Sequence, residues 1–181
     1  MPVDEDVLNR VYPEKPTMLE KQWMGKIGVD EFSVYLMKLE LICEEAKQNM
    51  IMTGLSPAIQ GMDCGVGVYT ASGDLVAASV GTYLHICSGQ VPIKYILKYY
   101  KNDRSVGIRD GDVFFVNDVL YGGFHNQDML NIAPVFYKKK LIAWVVAAAH
   151  EPETGASEPA GFVPAARSRY EEGFKASPVK V

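Results

Sequence analysis

Ile132-Ala133-Pro134-Val135-Phe136-Tyr137, then Lys138-Lys139-Lys140, then Leu141-Ile142-Ala143-Trp144-Val145-Val146-Ala147-Ala148-Ala149, is the stretch that decides the fold. Two apolar runs about a polar break read as a β-hairpin, with the lysines capping its turn in solvent. The second run is apolar throughout, which predicts a strand buried on both faces. It ends at His150, where a core strand meets a loop. Just upstream of the hairpin lies Gly122-Gly123-Phe124-His125-Asn126-Gln127-Asp128. The chain has three histidines, and two fall in these two places. His125 and Asp128 stand three positions apart, so one turn or helical segment can present both on one side. With His150 they can form a two-histidine, one-carboxylate facial site. Such a site suits a divalent metal and leaves positions open for water or substrate. The plainer alternative is solvated or hydrogen-bonded histidines, because an HxxD pair also recurs by chance.

Outward from the hairpin, the pattern predicts an α+β fold of mostly antiparallel strands packed with two or three helices. Gly65 to Tyr69 and Leu75 to Ala78 flank turn-forming residues 70–74, a second hairpin. A long helix precedes it, with Asp30 as candidate cap and an apolar stripe of Phe32, Leu36, Leu39, Cys43, Ala46 and Met50. A second helix follows Gly81 to Ile86, with Ser88 as candidate cap and Ile93, Ile96, Leu97 and Tyr100 as its buried face. Val113 to Val116 predicts a short buried strand, residues 155–164 a loop, and residues 165–174 a last helical stretch. Residues 1–21 carry Pro2, Pro13 and Pro16 among charges and read as an arm outside the core. That arm is either disordered or a strap over a partner subunit. Residues 22–181 are read as one domain.

The chain has 181 residues, 48% hydrophobic and 22% charged, enough for one domain with a real core. A net charge of −4, a pI near 5.4 and no basic stripe speak against nucleic-acid binding. No long apolar span and no signal-peptide pattern is present, so membrane insertion and secretion are not indicated. Cys43, Cys64 and Cys87 form no CxxC pair and predict reduced thiols in a cytoplasmic protein, each a small buried hydrophobe.

Several stretches in order resemble the N-terminal part of the hydantoinase B/oxoprolinase family, which includes one subunit type of the ATP-dependent acetone and acetophenone carboxylases. They are Gly111-Asp112-Val113-Phe114 with Asn117-Asp118, the Gly122 to Asp128 segment, Pro134-Val135-Phe136, Ala149-His150 through Glu153-Thr154-Gly155, and Glu171-Glu172-Gly173-Phe174. Asp63-Cys64, Ser72-Gly73-Asp74 and Leu84-His85 also fall in family order. The resemblance implies that His125, Asp128 and His150 bind one divalent metal, zinc or manganese. It implies that His85 lines a substrate cavity, although a core histidine with a satisfied ring fits equally. The family's His-His-Ala-Asp reads His150-Glu151-Pro152-Glu153 here, its Pro-Gly-Ser reads Pro159-Ala160-Gly161, and its Asn-Asp-Pro reads Asn117-Asp118-Val119. Glu153 and Asp118 are thereby candidates to orient an imidazole, and Glu153 also to move a proton.

Family chains run several hundred residues further, which makes this chain the expected part of a split larger fold. The function implied is a metal-binding subunit of an ATP-dependent ketone carboxylase, acting on acetophenone or acetone with bicarbonate. No Walker A motif is present, so ATP is assigned to another subunit of a hetero-oligomer, a nucleotide-binding hydantoinase A-like chain. Two alternatives remain open: a subunit of an ATP-dependent cyclic amide hydrolase, and a non-catalytic subunit stabilised by its metal.

Overall fold

The computed structural model describes residues 3–10 and 12–181, so Pro2 of the arm lies outside the described residues. Among the described residues the α-helices and strands follow in this order: α1 (Glu5–Leu8), α2 (Met18–Trp23), α3 (Val29–Thr53), α4 (Pro57–Gln60), β1 (Cys64–Thr70), β2 (Leu75–Ala78), α5 (Tyr83–Ser88), α6 (Gln90–Tyr99), β3 (Phe114–Val116), β4 (Asp128–Tyr137), β5 (Lys140–His150) and β6 (Val179–Lys180). The strands form one six-stranded sheet in the order β2-β1-β5-β4-β3-β6, and every pairing is antiparallel. The α+β class stands. Of the helices among the described residues, only α3 and α6 exceed six residues.

β4 and β5 are the hairpin that the apolar runs predict. Lys138 and Lys139 both take positive φ, 47° and 65°, between paired Tyr137 and Lys140. That twist is the one a two-residue hairpin favours, usually with glycine or asparagine. β5 is covered on both sides, although its outer end at Ile142 is exposed. Trp144, Val146 and Ala148 pack with Tyr69, Ile86, Ile93 and Ile96 under α5 and α6. Val145 and Ala147 pack with Cys43, Leu39 and Met50 of α3. The alternating Cβ directions of one strand thus feed two helical layers. Two of the β1 residues facing α5 are glycines: a Cβ at Gly65 would sit 2.9 Å from Ile86, and one at Gly67 would clash with the same side chain. Their absence lets α5, which carries His85, lie close against the sheet.

Several boundaries differ from the sequence expectation. Gly28 caps α3 in an extended conformation, and Asp30 falls inside the first turn, where its charge favours the helix dipole. The predicted stripe is partly buried from Leu36 onward, with Cys43 alone fully buried, and Phe32 is exposed. Ser88 ends α5 and its hydroxyl donates to the His85 carbonyl; Gly89 caps α6. Residues 165–174 hold only a 3-10 turn at Arg169–Glu172, because extended Ser168 precedes it and Gly173 follows at φ 94°. Cys87 is exposed, unlike buried Cys43 and Cys64. The arm contributes to the core: Val7 of α1 is buried in the cluster under α6. Asp4 fixes it there, its carboxylate taking Lys98 Nζ at 2.5 Å and Tyr99 Oη at 2.8 Å. Among the described residues no helix is long and apolar enough to cross a membrane.

Candidate metal centre

Antiparallel register brings the site together. Asp128 opens β4, His150 closes β5, and the two are direct cross-strand partners. His150 Nδ1 lies 3.0 Å from Asp128 Oδ1. His125 sits in the turn before β4, not on a helical face. Its backbone N–H donates to Asp128 Oδ2 at 3.1 Å, and the Asp128 N–H donates back to the His125 carbonyl at 2.9 Å. The closed turn leaves His125 Nδ1 2.9 Å from Asp128 Oδ2. The two rings stand nearly perpendicular, centroids 5.1 Å apart. One candidate ligand atom from each of His125, Asp128 and His150 falls within 4.8 Å of the others.

These residues fit a divalent cation. A metal bonded at about 2.0–2.2 Å holds neighbouring ligand atoms roughly 3.0–3.5 Å apart, and the nitrogen–oxygen separations here are 2.9 and 3.0 Å. Asp128 is 0% exposed, and among the described residues its ion-pair partners are histidines alone. A buried carboxylate without a fixed cation is costly unless it is neutralised. His125 stays half-exposed, at 51% of its side chain, so the cluster opens outward. It opens into a cleft of about 510 Å³, walled by Phe124, Asn126, Phe162, Val163 and Glu172. A larger cavity of about 1040 Å³ lies between the arm and α6, among Lys15, Lys98 and Lys101. None of the three histidines lines it, so the smaller cleft is the one that matters here.

His85 is 3% exposed and lies behind Asp128, outside the cleft walls. Its Nε2 is 3.0 Å from Asp63 Oδ1. Its Nδ1 is 3.4 Å from Asp128 Oδ1 but out of hydrogen-bond geometry, which leaves that nitrogen buried without a hydrogen-bond partner. Burial pushes the Asp63 carboxyl up, but the hydrogen bond and charge of His85 outweigh this and hold it below its usual range. The Asp63 carbonyl also accepts from the His150 N–H at 3.0 Å. Asp63 thus supports two histidines, a role that its sequence neighbourhood did not suggest. The available signal was its place directly before β1, whose first residue Cys64 pairs with Ala149.

The other candidates lie elsewhere. Glu153 is exposed and accepts from the backbone N–H groups of Gly155 at 2.7 Å and Ala160 at 3.0 Å, which hold its carboxyl below the usual range. It shapes the loop that carries Phe162 and is not a wall of the cleft. That loop presses on the site segment, because a Cβ at Gly161 would clash with the Gln127 amide. Asp118 accepts from Leu120 N–H and pairs with Arg169. Glu172 enters the cleft wall, 3.4 Å from Asn126 Nδ2; no spacing rule could bring it there from 44 positions beyond Asp128.

Known proteins share this arrangement of chain. The acetophenone carboxylase delta subunit of Aromatoleum aromaticum is 35% identical over 181 residues, all of this chain and 26% of its own length. A nucleotide-free acetone carboxylase structure superposes with a TM-score of 0.78 at 26% identity, covering 83% of this chain and 20% of its own. The ATP-dependent caprolactamase from Pseudomonas jessenii gives a TM-score of 0.62 at 26% identity, covering 82% of this chain and 26% of its own. The chain therefore spans about a quarter of the length of these relatives. The hydantoinase B/oxoprolinase sequence profile matches residues 31–181, and the chain belongs to that family.

Proposed function

We propose that this chain is the metal-carrying subunit of an ATP-dependent ketone carboxylase, with a zinc or manganese ion held by His125, Asp128 and His150. The observation that carries this reading is the fully buried Asp128 carboxylate, with two imidazole nitrogens within 3.0 Å, both from histidines that line an open cleft. When bound, the cation supplies Lewis acidity for negative charge developing on a substrate oxygen. The chain's own residues do the rest. Asp63 holds His85 behind Asp128, and the Glu153-bound loop walls one side of the cleft. Exposed Phe124 and Phe162 border the cleft, whereas Tyr121 is buried away from solvent. Two aromatic walls favour an aryl methyl ketone over a small aliphatic one.

ATP is assigned to a separate hydantoinase A-like subunit, since no phosphate-binding glycine loop occurs in this sequence. The ATP dependence of this reading favours a cytoplasmic complex. A hetero-oligomer is supported by the many exposed apolar side chains of α3, among them Phe32, Met37, Leu41 and Ile42. Elemental analysis of the purified complex should find close to one metal per chain. His125→Ala and His150→Ala should each lose it with the fold kept. Full retention in both variants refutes the ligand set.

A second reading, ATP-assisted opening of a cyclic amide, draws support from the likeness to caprolactamase. Incubation of the complex with ATP, labelled bicarbonate and either acetophenone or caprolactam separates the two. Label in a β-keto acid supports carboxylation. Ring opening with no label fixed in any ketone supports the hydrolase. A purely structural metal would need a closed ligand shell, and the half-exposed His125 at the mouth of the cleft argues against one.

A further inference from the structure

Carboxylation at the carbon beside a ketone needs a base there, because that C–H proton must leave before a new carbon–carbon bond forms. The carboxylates nearest the metal centre are mostly committed. Asp128 and Asp63 are tied to the histidines, Asp118 to Arg169, and Glu153 to backbone N–H groups of its own loop. Glu172 is different. It lines the same cleft as His125 and His150, and among the described residues no Lys, Arg or His lies in ion-pair range of it. Among the described residues its side chain has two polar contacts, Asn126 Nδ2 at 3.4 Å from Oε2 and no closer donor than the Asn126 amide.

Asn126 makes the second observation. It is 3% exposed, directly follows His125, and lines the cleft. Its carbonyl accepts from Asn117 Nδ2 at 2.7 Å, and its Nδ2 reaches both the backbone oxygen and the carboxylate of Glu172. The opposite amide orientation would set oxygen against carboxylate, so this one is fixed by its partners. It leaves Asn126 Oδ1 buried with no hydrogen-bond partner. A buried acceptor without a donor, in the wall of a cleft, marks a place for an O–H or N–H of a bound ligand.

Resting on the ketone carboxylase reading, we propose that Glu172 is the catalytic base of this cleft and that Asn126 is its positioning residue. The Glu172 carboxylate takes a proton from the carbon next to the ketone carbonyl. The C–H electron pair becomes the C=C bond of the enolate, and the carbonyl π pair moves onto oxygen. No oxidant or reductant is required. Return of a proton from Glu172 reverses the step, so a substrate held without bicarbonate exchanges its α-hydrogens with solvent.

The test uses the whole complex with its co-purifying subunits, metal-loaded, in D2O with acetophenone, with and without ATP and with no bicarbonate. Mass spectrometry follows deuterium entering the methyl group above the uncatalysed background. Wild type should exchange. Glu172→Gln should slow exchange by about 100-fold or more, the range for loss of a general base, and Glu172→Asp should recover part of it. Metal content, and acetophenone binding seen by ligand-observed NMR, should be unchanged in both variants. Wild-type exchange in Glu172→Gln overturns the base assignment while the carboxylase reading stands. Loss of metal or of acetophenone binding in that variant makes Glu172 structural and also overturns it. Absence of exchange in the wild type sinks the carboxylase reading and the base together.

Discussion

At the scale of single residues, Asp63 is placed to matter to the proposed metal centre without being a ligand. It fixes the His85 ring through Nε2, and His85 in turn sits 3.4 Å behind Asp128. Partners of this outer kind set ligand orientation, and their loss typically weakens metal binding by about 10–100-fold. Asp63→Asn keeps the shape and removes the charge. It should lower metal affinity by about that factor, measured by competition with a chelator, whereas Asp128→Asn should abolish binding. Equal affinity in Asp63→Asn and wild type would show that the His85 contact carries nothing to the ligands. His125, Asp128 and His150 were legible in the sequence because a three-residue turn and a strand end are local features. Asp63 and Glu172 were not. They arrive through the pairing of β1 with β5 and through a C-terminal loop that folds back, contacts that no short spacing encodes.

Among the elements, the arm departs most from its sequence reading. Prolines and charges suggested a segment outside the core, yet α1 buries Val7 under α6 and is pinned by Asp4. The hydrogen bond from Lys98, then that from Tyr99, lower the Asp4 carboxyl from 3.8 to about 2. A depressed carboxyl stabilises the docked arm fully above its unfolded value of 3.8, and that contribution is lost as the pH falls through about 2. An NMR titration of the Asp4 carboxyl carbon should therefore have its midpoint near 2, and Lys98→Ala should move the midpoint upward. A midpoint already at 3.8 in the wild type means the arm is undocked in solution. The strands were easier to read, since two-residue alternation and turn chemistry are strong local signals. The expected helix over 165–174 failed for an equally physical reason. Ser157 N–H bonds to the Glu171 carbonyl and Phe174 N–H to the Thr154 carbonyl, so this backbone is satisfied by a neighbouring loop and not by its own previous turn.

For the molecule as a whole, α3 sets the social behaviour. One side of it packs on β1 and β2, while Phe32, Met37, Leu41, Ile42 and Met52 remain exposed along its 25 residues. A helix that leaves this many apolar side chains uncovered is suited to burial against another polypeptide. The chain produced alone should self-associate and bind a hydrophobic dye. The double variant Leu41→Lys and Ile42→Lys should stay monomeric by light scattering and should fail to capture the other subunits. Normal assembly of that variant would place the subunit interface on another face.

The cross-strand pairing of Asp128 with His150 has one more consequence. Successive side chains of a strand alternate faces, so a slip of one residue between β4 and β5 would carry the carboxylate away from the imidazole and to the opposite side of the sheet. Only the correctly aligned hairpin can chelate. A cation that binds this alignment and no other deepens its energy well by RT ln(1 + [M]/Kd). An ion held by the proposed ligands would therefore also select the aligned hairpin, and withholding it would raise the share of misaligned chains.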